Sequence, residues 1–227
     1  MIAWEAPGPY VVAFTDRDGG VSTGDYASLN LGSRGDDRAR IAENRRLACA
    51  ELGLDLERLA VNRQHHTARV NRAVAGGSEP GDALWTDEPG LPLLALTADC
   101  VPVAIVTTSG PPALAVVHAG WRGLATGVVE AAAAALPAGK KAAVIGPAIG
   151  PCCYEVGPDV AAQFDEDLVR DGLLDLWAAA ERALGRSGVT SVERLDLCTR
   201  CHHDRFFSHR ASRGAHGAQG VIGALAG

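Results

Sequence analysis

The segment Leu91-Pro92-Leu93-Leu94-Ala95-Leu96, then Thr97-Ala98-Asp99-Cys100, then Val101-Pro102-Val103-Ala104-Ile105-Val106-Thr107, decides how this chain is read. Two apolar runs of strand length flank a short polar break. A third run, residues 113–117, follows Thr108-Ser109-Gly110-Pro111-Pro112, whose Gly and Pro residues mark a turn. Upstream, residues 59–63 and 10–14 also read as strands, the latter rich in Val and aromatics. Between these two lies a long polar loop, residues 15–37, with Gly19, Gly20, Gly24, Gly32 and Gly35. Loops of this length are often functional. Residues 38–52 have helical spacing, with Ile41, Leu47 and Leu52 on one side and Gly53 as the stop. Downstream, residues 121–136 have helical composition and residues 144–149 read as a strand. Pro158 opens a helix reaching about residue 170. A further helix covers residues 173–184 and a strand residues 192–197, while the small residues from Ala211 onward carry no pattern. Strands come in runs with helices between the runs, which indicates an α+β fold. With no linker-like stretch, residues 1–227 are expected to form a single domain.

Composition narrows the function. Hydrophobic residues at 47% and charged residues at 21% describe a globular chain with a sizeable core. A formal net charge of −6 argues against a surface built to coat nucleic acid or adhere to membrane. Residues 1–10 lack a basic cluster followed by an apolar run, and no stretch is apolar for long enough to span a bilayer. The expected location is therefore cytoplasmic, where cysteines are thiols, metal ligands or nucleophiles before they are disulfides.

Three segments carry candidate chemistry: Gln64-His65-His66, Thr97-Ala98-Asp99-Cys100, and His118-Ala119-Gly120-Trp121-Arg122-Gly123. Each sets a soft or borderline metal ligand beside a strand end. One thiolate and two imidazoles suit Zn²⁺ and leave its fourth position for water. The spacing alone matches no local zinc motif. Taken singly, Cys100 also reads as a small buried hydrophobe and each histidine as a satisfied polar residue.

Together the segments resemble the YfiH/laccase-domain family, whose members are described as multicopper polyphenol oxidoreductase-like or as purine nucleoside phosphorylases. The resemblance runs through Gly19-Gly20-Val21-Ser22, Ser28-Leu29-Asn30-Leu31, Asn44-Arg45, Gln64 with His66, Thr97 to Cys100 and His118 to Gly123. It continues through Gly146-Pro147-Ala148-Ile149-Gly150, Cys153-Tyr154-Glu155-Val156, Leu174-Asp175-Leu176-Trp177, Cys198-Thr199 and Phe206-Phe207-Ser208 with Arg210. It implies a layered α/β/β/α sandwich with zinc on His66, Cys100 and His118. It also implies phosphorolysis of purine nucleosides, methylthioadenosine included, and hydrolytic deamination of adenosine. The partners expected are then a purine nucleoside and phosphate. Two departures stand out. The family often carries Thr-Gly-Arg where this chain has His216-Gly217-Ala218, and an asparagine is expected at Ala180.

Beside that resemblance, each residue keeps two readings. Asp99, next to Cys100, is the nearest acid–base candidate, or else a turn residue that orients the histidine ligands. Arg45 and Arg122 match phosphate geometry, or else form surface ion pairs. Ser22 and Asn30 contact substrate, or else shape the glycine-rich loop. Copper is the alternative metal, in a polyphenol oxidase, because two His and one Cys also form blue-copper sites; with Met1 the only methionine, that arrangement would need an axial ligand other than the usual Met. A metal-free hydrolase with Cys100 as nucleophile and His118 as base uses the same residues. Cys198-Thr199-Arg200-Cys201-His202 spells a haem-attachment pattern, but such attachment requires export. A knuckle of Cys198, Cys201, His202 and His203 is too crowded to face one ion, and Cys152-Cys153 read as ordinary thiols. Cys198 and Cys201 are thus assigned no metal.

Overall fold

The computed structural model describes residues 1–32, 35–212 and 214–227. In chain order the first strands are β1 (Ile2–Trp4), β2 (Tyr10–Phe14), β3 (Ala60–Val61), β4 (Val70–Arg72), β5 (Ala83–Thr86), β6 (Leu93–Thr97), β7 (Val101–Thr107) and β8 (Leu114–Ala119). They are followed by β9 (Lys141–Ile145), β10 (Val169–Arg170), β11 (Leu173–Leu174), β12 (Ser191–Arg194) and β13 (Gln219–Leu225). The helices are α1 (Arg38–Glu51), α2 (Trp121–Ala125), α3 (Val128–Ala135), α4 (Pro158–Ala161), α5 (Leu176–Arg186) and α6 (His209–Ser212).

Among the described residues two large sheets form, in the orders β1-β2-β13-β6-β3 and β12-β9-β7-β8-β5-β4, beside the small β10-β11 pair. Alternation along the strands decides what each sheet covers. In β7, Val103 and Ile105 pack toward α3 and α5, while Ala104 and Val106 pack toward the first sheet. In β8, Ala115 and Val117 share the helix side, and Leu114 and Val116 the sheet side. In β6, Leu93 and Ala95 face the second sheet, while Leu94 packs with Ala48 and Cys49 of α1. The layers are therefore α1, first sheet, second sheet, then α3 with α5: an α/β/β/α sandwich.

The helix over 38–52 forms almost as the spacing indicates. Asp37 caps it, its side chain accepting from Ala39 N at 2.7 Å, and Gly53 leaves it at φ +67°. Three expectations need correction. The span 121–136 is two helices, because Gly127 turns left-handed at φ +87° between α2 and α3. The helix opened by Pro158 ends at Ala161. Beyond it, Asp171 and Gly172, both at positive φ, make the two-residue turn of the β10–β11 hairpin. Asp-Gly is a strong hairpin signal and overrides the apolar spacing around it. Finally, the uninformative tail contains β13, which pairs antiparallel with both β2 and β6 in the middle of the first sheet. Its glycines hide the pattern but are required: a Cβ on Gly223 would lie 2.7 Å from Leu114 Cδ2, and one on Gly220 would collide with the Ala95 carbonyl.

Candidate metal centre and cleft

The polar break between β6 and β7 is where the chain crosses from the first sheet to the second. Asp99 takes φ +86° there, and Cys100 follows immediately before β7. His118 stands near the end of β8, opposite Pro102 of β7. Its alternation turns it to the seam between the sheets. His66 lies in the loop after β3, at φ +60°. Gln64 ties that loop to β6: its amide accepts from Leu96 N at 2.8 Å and donates to Leu96 O at 2.7 Å.

These three ligands converge. Their ligand atoms lie within 4.8 Å of one another, with Cys100 Sγ 3.6 Å from His66 Nε2. Gly120 makes room for them, since a Cβ there would sit 2.7 Å from His66 Cδ2 and 2.9 Å from Cys100 Sγ. The residue that organises the group is Asp82, just before β5, which sequence reasoning missed. Its Oδ1 accepts from His118 Nδ1 at 2.9 Å and from His66 N at 2.9 Å. Its Oδ2 accepts from Thr67 N and Thr67 Oγ1, each at 2.8 Å. Nδ1 of His118 is thereby used, and Nε2 is left as the ligand nitrogen. A single Asp inside Gly81-Asp82-Ala83 offers no local signal; only folding brings it to His118.

Charge follows geometry. Burial raises the Cys100 thiol, but His118 and His66 outweigh it and bring its pKa down to about 6. Burial disfavours the His118 cation, yet the Cys100 thiolate and Asp82 raise its pKa to about 9. Burial also works to raise Asp82, but hydrogen bonds from His118 and Thr67 hold it well below the usual carboxylate range. Without metal the site holds a thiolate–imidazolium pair backed by a carboxylate. The donor set of one thiolate and two imidazoles, with one imidazole locked by a carboxylate, fits Zn²⁺.

A cleft of about 900 Å³ opens beside it, lined among others by His66, His118, Arg45, Asn30, Asn62 and His216. Arg45 donates from Nε (3.0 Å) and Nη2 (2.8 Å) to Leu31 O, which fixes its guanidinium at the cleft wall. Asn30 shapes the loop: its Oδ1 accepts from Gly32 N and Ala218 N, each at 2.9 Å, and its Nδ2 donates to Asp36. Ser22 is buried and also donates to Asp36, while Asn44 Nδ2 donates to it. Both carboxylate oxygens of Asp99 are taken, Oδ1 by Thr199 Oγ1 at 2.7 Å and Oδ2 by Arg210 N at 2.6 Å. Arg122 is exposed on α2, its guanidinium 4.4 Å from the Trp121 ring. Ser22, Asp99, Cys100 and Arg122 are not among the described residues that line the cleft.

Two cleft residues were not anticipated. Asn62 has a buried Oδ1 with no hydrogen-bond partner among the described residues. His216, the first residue of His216-Gly217-Ala218, accepts at Nε2 from His209 Nδ1 at 2.9 Å while its Nδ1 donates to Gly217 O. Ala180 is fully buried in α5 within the helix-side core.

Fold and site together define an α/β/β/α sandwich in which a His-Cys-His group that could hold a metal ion lies beside a cleft at the seam of the sheets. The profile of the family described as "Multi-copper polyphenol oxidoreductase laccase" matches residues 11–225, and the chain belongs to that family. It is 34% identical to a Haemophilus influenzae protein named "Purine nucleoside phosphorylase", over 91% of each chain. It is 32% identical to the Escherichia coli protein named "Purine nucleoside phosphorylase YfiH", over 92% of each. A crystal structure from Neisseria meningitidis superposes with a TM-score of 0.91 at 36% identity, covering 100% of this chain and 99% of that one. No helix among the described residues is long and apolar enough to cross a membrane.

Proposed function

We propose that this protein is a zinc-dependent purine nucleoside enzyme. It cleaves adenosine, inosine, guanosine and methylthioadenosine by phosphorolysis and deaminates adenosine by hydrolysis. The observation that carries this reading is the convergence of His66, Cys100 and His118 beside a cleft that Arg45 also lines, in a chain aligned along nearly its whole length with relatives named purine nucleoside phosphorylase. The cleft lies in the size range of small-molecule sites, roughly 300–1,000 Å³.

His66, Cys100 and His118 hold the metal, which when bound supplies Lewis acidity. The chain's own residues position everything else. Asp82 fixes the ring of His118. Asp99, with both oxygens engaged, holds the turn that presents Cys100 rather than shuttling a proton. Phosphorolysis needs phosphate beside the sugar carbon, and Arg45, with its Nη1 making no hydrogen bond among the described residues, is the phosphate-binding group. Arg122 is the weaker candidate because it stacks on Trp121 outside the cleft lining.

A second reading has one specific observation in its favour. Asp82, His118 and Cys100 also have the order of a carboxylate–imidazole–thiol triad, which would attack substrate through the Cys100 sulfur. The test is incubation of purified protein with each nucleoside, with and without phosphate, and chromatography of the products. Phosphate-dependent release of free base, and phosphate-independent conversion of adenosine to inosine, are expected. Absence of both from folded, zinc-loaded protein overturns the assignment.

A further inference from the structure

Away from the His-Cys-His group, four cysteines that sequence reasoning set aside come together. Cys152 and Cys153 lie in the turn after β9, where Cys153 N and Tyr154 N both donate to Gly150 O. Cys198 and Cys201 follow β12, which runs parallel to β9. Backbone bonds extend that pairing past the strands, from Ala148 N to Leu197 O and from Thr199 N to Ala148 O. The two segments are thus locked side by side before any side chain is considered. His202 and His203 do not join the group.

All four sulfurs lie within 4.8 Å of one another, with Cys152–Cys201 at 3.6 Å and Cys153–Cys201 at 3.5 Å. Covalent S–S bonds are much shorter, about 2.05 Å, and all four cysteines are free. Four thiolates around one Zn²⁺ at about 2.3 Å stand at tetrahedron edges of about 3.8 Å. The Cys152–Cys201 and Cys153–Cys201 separations lie close to that edge, and the remaining pairs lie within 4.8 Å. An iron–sulfur cluster needs its cysteine sulfurs further apart, because iron and sulfide lie between them. Gly150 N donates to Cys198 Sγ at 3.3 Å, a bond that favours the thiolate a metal requires. Cys198 and Cys201 also carry the Cys-x-x-Cys spacing of zinc ribbons.

We propose that Cys152, Cys153, Cys198 and Cys201 form a second, closed tetrathiolate zinc site that clips the loop after β9 to the segment after β12. With all four positions filled by protein, the site is structural. Its place gives it a purpose. Thr199, between two of the ligands, donates to Asp99 Oδ1, and Ile149 N donates to Asp99 O. The clip therefore braces the turn that presents Cys100 from a distance, without touching the cleft metal.

The test is metal content of the purified protein by mass spectrometry, with thiol footprinting. Wild-type protein carries about two zinc equivalents per chain. The Cys152→Ser/Cys201→Ser variant keeps about one, and so does His118→Ala, so failure of either site is read separately. Because the double variant could fail to fold, N-ethylmaleimide labelling of wild type gives an independent readout. The exposed Cys152 and Cys201 resist labelling until a chelator strips the zinc, then label readily. The proposal is overturned if folded Cys152→Ser/Cys201→Ser keeps the wild-type zinc content. Free labelling of Cys152 and Cys201 without chelator, a disulfide among the four, or iron or copper in their place overturns it equally.

Discussion

Asp82 Oδ1 stands 2.9 Å from His118 Nδ1 and also 2.9 Å from the backbone nitrogen of His66, so one carboxylate positions two of the three residues that could hold a metal. Replacing it by asparagine keeps the shape and removes the charge. Asp82→Asn is expected to weaken zinc binding by about 10–100-fold, the usual effect of losing a ligand's supporting carboxylate. Competition with a chromophoric chelator reads this directly. Unchanged affinity in the folded variant would show that Asp82 only shapes the loop.

His66→Ala separates the two readings of the site. A metal mechanism loses the cleft zinc and turnover together, because His66 is a ligand of that zinc alone. A mechanism run by the Cys100–His118 pair retains substantial turnover, because His118 remains to hold the Cys100 thiolate and His66 only assists it. Metal content and nucleoside turnover on the same preparation, with circular dichroism to check folding, decide between them.

Gly120→Ala isolates the steric requirement. Gly120 has φ −76° and ψ 169°, a conformation open to alanine, so the backbone does not demand glycine. The added methyl would press on His66 and Cys100. The expected outcome is a loss of zinc affinity of at least about 10-fold, with thermal stability of the metal-free protein nearly unchanged. A variant that binds zinc as wild type does would mean that the ligands have more room than the structure gives them.

In metal-stripped protein the Cys100 thiol should titrate at about 6. The sign of its effect on stability follows. Its folded value is depressed, so its contribution is present above the ordinary thiol value and is lost as pH falls through about 6. His118 is raised, so its contribution is complete below the ordinary imidazole value and is lost as pH rises through about 9. The two titrate as a pair, and metal-free stability should peak between those limits. Iodoacetamide reaction rates against pH report the lower limit, and Asp82→Asn should move it upward by making the His118 cation less stable. An inflection near the ordinary thiol value in the wild type would contradict the pairing.

Arg45→Ala should raise the KM for phosphate about 10-fold or more, the cost of losing one charge-assisted contact, and should alter phosphate-independent adenosine deamination far less. Arg122→Ala should leave the phosphate KM near the wild-type value. Initial rates over a phosphate series check both variants, and equal effects on the two reactions would place Arg45 in nucleoside binding instead.

What could be read in the sequence follows from how local each signal is. The strands β2 and β7 and the helix α1 rest on unbroken apolar runs or regular spacing, and all three stand within a residue of where the pattern puts them. His66, Cys100 and His118 were legible because each lies in a distinctive short segment. Asp82 was not, because its role exists only through a partner on a neighbouring strand. The four cysteines were seen as two separate pairs, since nothing in one segment reports the other. The strand β13 escaped because Gly220 and Gly223, which its close neighbours demand, erase the alternation that marks a strand.

That strand also fixes an order of events during synthesis. β13 is made after the other twelve strands of the described residues, yet it lies between β2 and β6. Until it emerges from the ribosome, both neighbours present unpaired edges, the kind of surface that invites pairing with other chains. The nascent protein must carry the β2 edge through the making of the entire second sheet and the β6 edge through that of β7, β8, β9 and β12. A stalled or shortened message that stops before Gln219 releases not a slightly smaller enzyme but a split sheet with two adhesive margins, and its natural fate is aggregation or proteolysis.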